Sequence, residues 1–220
     1  MGTDNIHHRK KAQSFERKKP VKEAGKRFLI VCEGEKTEPN YFKEIRHDLR
    51  LQTATVEICG ECGSDPISVY QHAVDLFEKE KGASFDTVFC IIDKDSHKNL
   101  DRAIGLINAK EGKFVAVLSY PCFEYWLLLH HVLHRESFVR TAKKSIGESV
   151  FSELKKHDKS YAKGGKGVWL RYKEKLSFAI NNSREMKKVA DASGNPNPST
   201  NVHELVELLT NLNKPGGHKA

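Results

Sequence analysis

A chain of 220 residues has room for one large domain or a core with an appendage, and 38% hydrophobic with 30% charged residues gives a globular profile with a polar excess. The formal charge of +8 is uneven: residues 1–27 hold nine Lys/Arg against three Asp/Glu, so the rest of the chain is nearly neutral. No apolar run approaches the ~20 residues of a membrane span, which argues against a spanning helix.

Residues 1–26 are polar, basic and without sustained periodicity, and read as a flexible arm, solvated or lying along phosphates. Order is expected from Arg27, where Phe28-Leu29-Ile30-Val31-Cys32 has strand character and ends on Glu33. The turn that follows lacks the first Gly of a P-loop, and Glu35 separates Gly34 from Lys36, so a nucleotide cradle is not expected there. A helix is predicted from about Pro39 to Leu51, with Thr37 or Asn40 as its cap. Thr53 to Cys59 alternates like a strand. Ser64-Asp65-Pro66 opens a helix to about Lys81, with Ile67, Tyr70, Ala73, Val74 and Phe77 on one face.

Val88-Phe89-Cys90-Ile91-Ile92 is a continuous apolar run that stops on Asp93-Lys94-Asp95. Such a run reads as a strand buried on both faces of a parallel sheet, and its end is where open α/β sheets place ligands. Two carboxylates there can share one hard cation such as Mg²⁺ if the chain turns; otherwise they begin a solvated loop. A helix over Asn99–Ala109 and a strand over Lys113–Leu118 complete a β-α-β-α-β-α-β order, which implies a mainly parallel sheet flanked by helices.

After Ser119-Tyr120-Pro121, the stretch from Cys122 to about His134 reads as a helix that is apolar almost all round, with Glu124 in its first turn. A carboxylate among so many apolar groups needs a partner or a cation, though first-turn acids are also favoured by the helix dipole. Beyond Glu136, amphipathic helices surround Lys163-Gly164-Gly165-Lys166-Gly167, a stretch read as a linker with phosphate contact as the alternative. Residues 191–198 form a turn-rich break, and Asn201 with Glu204 resembles a capping box for a last helix. The organisation read here is a basic arm over 1–26, an α/β core over 27–135 and a helical extension over 136–220. Five cysteines, an odd count in mostly apolar surroundings with no signal peptide, suit a reducing cytoplasm better than a disulfide scaffold. Cys59-Gly-Glu-Cys62 has the spacing of half a zinc site but no second pair follows.

Glu33 and the Asp93-x-Asp95 pair thus close two strands that can lie side by side, an arrangement that resembles the Toprim fold. Ile30 to Phe42 (IVCEGEKTEPNYF), Ile91 to Asp95 (IIDKD), Tyr120 to His131 (YPCFEYWLLLHH) and Asn197 to Leu209 (NPSTNVHELVELL) together resemble the RloB-like family. The chain departs from that pattern at Tyr120, where Asn is expected before Pro-Cys-Phe-Glu. The resemblance implies a Toprim-like, mainly parallel sheet with a C-terminal helical extension. It also implies a metal-dependent nuclease of DNA or RNA that serves prokaryotic defence, with an ATPase as possible partner. Under it, Glu33, Asp93, Asp95 and Glu124 are the acids that hold Mg²⁺ or Mn²⁺. Lys36 or Lys94 would meet the phosphate of the nucleic acid, and Thr37, Glu38 and His97 would support the site. The alternative is a catalytically silent module of the same fold that binds nucleic acid or a protein. The retained acids favour catalysis; the near-neutral body favours the silent module, because duplex binding needs many phosphate contacts.

Overall fold

The computed structural model describes residues 26–51, 54–58, 65–79, 85–94 and 99–212. The basic arm up to residue 25 and the Cys59/Cys62 pair lie outside these residues, as do Asp95 and His97.

Four parallel strands form the sheet: β1 (Phe28–Cys32), β2 (Ala54–Ile58), β3 (Thr87–Asp93) and β4 (Phe114–Tyr120). A two-residue strand, β5 (Ser199–Thr200), joins β4 antiparallel, and the order across the sheet is β2-β1-β3-β4-β5. Because successive side chains alternate between faces, the apolar runs of β1 and β3 feed two cores. Phe28, Ile30, Cys32, Phe89 and Ile91 pack on one face, and Leu29, Val31, Val88, Cys90 and Ile92 on the other. A run without polar residues is what a strand covered on both sides requires. The chain leaves β1 toward β2, then returns to place β3 on the opposite flank. The ends of β1 and β3 therefore flank the switch point of the sheet, where a crevice forms.

One face is covered by α2 (Pro66–Lys79) and α3 (Leu100–Asn108), which bury Val69, Ala73, Val74, Leu100, Ala103 and Ile107. The other is covered by α1 (Thr37–Asp48), α4 (Glu124–Leu128) and the C-terminal helices α5 (Ile146–His157), α6 (Val168–Tyr172), α7 (Leu176–Ser193) and α8 (Val202–Asn211). Trp126 donates its indole N–H to the Tyr41 hydroxyl at 3.0 Å, tying α4 to α1 inside this core. Among the described residues no helix is long and apolar enough to cross a membrane. Cys32, Cys90 and Cys122 are buried, and burial pushes the Cys90 thiol up to about 12.

Three local expectations are corrected. The helix predicted from Cys122 to His134 is regular only over Glu124–Leu128. His130 and His131 then bond back three residues, to the Leu127 and Leu128 carbonyls. The Trp126 carbonyl, which the next helical turn would use, lies 3.0 Å from the His130 ring Nδ1 instead. Neither Thr37 nor Asn40 caps α1; both side chains are used by a distant loop, described below. Asn201 does not cap α8 through its side chain. Its Oδ1 accepts from the Leu118 N–H at 2.6 Å and its Nδ2 donates to the Ala116 carbonyl at 3.1 Å. The amide thus continues, by one residue, the pairing that β5 begins along β4, a strand hidden at the end of what reads as a turn-rich break.

Candidate active site

At the carboxyl ends of β1 and β3 the backbone pairing runs one residue past β1, the Glu33 N–H donating to the Ile91 carbonyl at 3.0 Å. The Glu33 carboxylate then accepts the Asp93 N–H, also at 3.0 Å, so it latches the two strand ends together. Asp93 sits at the head of this latch. Its Oδ1 is sealed from solvent and meets no hydrogen-bond donor. Burial raises the Asp93 carboxyl well above its usual range, the negative charges of Glu38, Glu124 and Glu33 raise it further, and the Phe123 N–H opposes them.

Glu38 stands in the first turn of α1, where the helix start favours an acid, but its side chain turns inward and is only 6% exposed. Burial is the main reason its pKa rises to about 7; its own backbone N–H opposes the rise, Glu124 adds to it and Lys163 reduces it. Gly34 lies directly against this carboxylate, and a Cβ there would overlap its oxygens. The glycine leaves the space that this inward Glu38 side chain occupies, and a larger residue would displace the carboxylate.

Glu124 opens α4 and is 4% exposed. Its Oε1 accepts from the Tyr161 hydroxyl at 3.2 Å and pairs with Lys163 Nζ at 3.6 Å. Burial alone would lower the Lys163 pKa, but Glu124, with smaller help from Cys122 and Asp93, raises it. Lys163 begins the glycine-rich stretch that the sequence suggests is a linker. It is a clamped loop. The Gly164 N–H donates to Thr37 Oγ1 at 3.1 Å, and Asn40 Nδ2 donates to the Gly164 carbonyl at 2.9 Å. Farther along, Glu44 accepts from the Gly167 and Trp169 backbone N–H groups. Gly164 has φ 69° and lies against the Lys36 stem, so both its conformation and its lack of a side chain serve the contact.

These groups surround an open cleft of about 540 Å³ whose wall includes Lys36, Thr37, Glu38, Asp93, Glu124 and Lys163. Of the residues singled out from sequence, the fold brings Glu33, Glu38, Asp93 and Glu124 together. Lys36 stands at the rim and Thr37 anchors the loop. Lys94 points elsewhere, its Nζ 4.9 Å from the centre of the Tyr120 ring. Asp95 and His97 lie outside the described residues. Glu38, read as a supporting residue, is part of the acid cluster itself. Tyr161 and Lys163 were not anticipated, and the only hint of them is a lysine beside paired glycines.

Carboxylate oxygens are the right donors for Mg²⁺ or Mn²⁺, and the unsatisfied Asp93 Oδ1 amid three other acids fits such an ion. As they stand, no three described His, Cys, Asp or Glu side chains are spaced to hold one. Glu33 is occupied by the Asp93 N–H, and Glu124 by Tyr161 and Lys163. The donor chemistry of Asp93, Glu38 and Glu124 fits such an ion. No curated protein and no solved structure matches the chain significantly. The family model described as RloB-like protein matches residues 28–209, which takes in the whole sheet, the acidic cleft and the clamped loop, and the chain belongs to the RloB-like family.

Proposed function

We propose that the chain is a metal-dependent nuclease of the Toprim type that hydrolyses phosphodiesters of DNA or RNA as the effector of a prokaryotic antiviral defence system. The observation that carries this reading is the buried, unsatisfied Oδ1 of Asp93, a residue that shares the cleft and its negative charge with Glu38 and Glu124. Clustered carboxylates repel both one another and a phosphate, and a cation is the group that makes such a cluster useful for either. Asp93 and Glu124, with Asp95 and with Glu33 or Glu38, would hold Mg²⁺ or Mn²⁺. Bound there, the ion supplies activation of water and stabilisation of the leaving oxygen. The protein's own share is to offset the charge of the substrate phosphate with Lys36 and Lys163 at the rim of the cleft.

A second reading is a catalytically silent module, and one observation favours it: Lys163 already pairs with Glu124, as an internal counter-ion would in a site without metal. Labelled single-stranded and duplex DNA and RNA, incubated with the protein in Mn²⁺, Mg²⁺ or chelator, with and without a partner ATPase, separate the two. Cleavage is expected with metal in the wild type and not in Asp93→Asn. Equal cleavage by both proteins, or none under any condition, refutes the nuclease.

A further inference from the structure

The exposed side of α1 carries a feature that the acidic cleft does not use. Lys36 at the N-cap, Asn40, Lys43 and His47 follow one another at spacings of four, three and four residues, so they form a single stripe along the helix, and Arg50, just past its end, lines the same concavity as Lys43 and His47. Tyr41, Phe42 and Ile45 occupy the opposite, buried side. The stripe begins at the cleft, where Lys36 is part of the wall, and passes Asn40, whose amide touches the Gly164 carbonyl. It continues as a groove between α1 and α6, lined by Lys43, His47, Lys166 and Leu170, and then as a second concavity along Lys43, Arg46 and Arg50.

The charges of this surface are arranged one-sidedly. Its two acids are turned to internal work: Glu44 receives the Gly167 and Trp169 N–H groups, and Asp48 receives the Trp169 indole and the Lys173 ammonium. The side chains of Lys36, Lys43, Arg46, Arg50 and Lys166 make no ion pair or hydrogen bond among the described residues. Leu170, 52% exposed, gives the basic groove an apolar floor.

We propose that this stripe is the track along which a single nucleic-acid strand is led into the cleft, the lysines and arginines meeting its phosphates and Leu170 meeting a base. The inference rests on the nuclease reading for the direction of the strand, but not for its binding. Twelve residues of helix span about 18 Å, the length of about five nucleotides of a stacked strand. An apolar floor beside a single line of charges suits a strand whose bases are accessible; a duplex presents phosphates on both flanks and hides its base faces.

Binding of a fluorescein-labelled single strand of about 20 nucleotides, as DNA and as RNA, is to be followed by anisotropy over a salt series in chelator, with the full chain. The test pair is Lys43→Glu with Arg50→Glu. The control pair, Arg102→Glu with Lys188→Glu, alters net charge equally at exposed positions on α3 and α7. The test pair should weaken binding at least about tenfold and the control pair far less. The milder pair Lys43→Gln with Arg50→Gln, a safeguard against misfolding, should lower the slope of log affinity against log salt by about 1.4. Equal losses in test and control pairs, tighter binding of a duplex of the same length, or no binding by the wild type would overturn the track. Because chelator silences any metal-dependent cleavage, a track without a nuclease and a nuclease without a track give different results.

Discussion

Replacing Glu38 by Gln keeps the shape of the side chain that Gly34 accommodates and removes its charge. The Glu38 carboxyl titrates at about 7 in the folded protein, against an ordinary value of 4.5, chiefly because it is buried and secondarily because Glu124 stands near it. A raised carboxylate pKa means that the folded state keeps its proton while the unfolded state has already lost it. Wild-type stability is therefore undiminished below about pH 4.5, falls as the pH rises toward 7, and has lost the whole amount above it. The difference of about 2.5 pH units corresponds to about 3 kcal/mol. Gln carries no such penalty, so in chelator Glu38→Gln should melt close to the wild type at about pH 5 and about 6–12 °C higher at about pH 8. In Mn²⁺ the ordering should narrow or reverse, since a cation near Asp93 and Glu38 relieves the repulsion that the substitution removes. Melting temperatures by circular dichroism over that pH range, with and without Mn²⁺, supply the test. In chelator, a stability difference that does not change between pH 5 and 8, or a variant less stable than wild type at pH 8, would refute the account of the cleft as a site of excess negative charge.

Lys163→Met should lower the melting temperature in chelator at pH 8, because it leaves the buried Glu124 with neutral partners only, the Tyr161 hydroxyl and the Cys122 thiol; added Mn²⁺ should restore much of the loss, and a loss that Mn²⁺ leaves untouched would mean that Lys163 only anchors its loop. Asn201→Asp separates a helix cap from a strand partner, since Asp caps a helix as well as Asn does but cannot donate to the Ala116 carbonyl. Urea unfolding should show a loss of about 1–3 kcal/mol for that variant, and no loss would return Asn201 to the role of a cap.

The strand ends were legible in the sequence because they are local. Continuous apolar runs over Phe28–Cys32 and Val88–Ile92, short and rich in β-branched and aromatic residues, read as strands covered on both faces, and the first acids after them fall at the edge of the sheet. The parallel pairing of β1 with β3 then follows from the alternation of helix and strand. The stretch after Glu124 was legible only in part. It is apolar all round because it fills the space between sheet and C-terminal helices, and that composition does not distinguish a long helix from a short one followed by tight turns.

The cleft itself shows where local pattern stops. Glu38 two residues into a helix is what any helix start looks like, and nothing in its immediate sequence says that the side chain turns inward. What turns it is tertiary: Gly34 leaves room beneath it, and the loop bearing Lys163 closes the outer side. That loop is held by Thr37, Asn40 and Glu44, residues more than 120 positions away in the chain. The positive charge nearest Glu124 is therefore placed by the outer face of α1, not by any spacing of its own. Acids set at strand ends and a base set by a clamped loop have different consequences for mutation. Changes at Thr37 or Asn40 should loosen Lys163 and leave the carboxylates in place. Changes at Gly34 should move the Glu38 carboxylate and leave the loop attached. The helix that packs Tyr41 and Phe42 into the core thus positions both signs of charge in the cleft, one through its first turn and the other through the loop it holds.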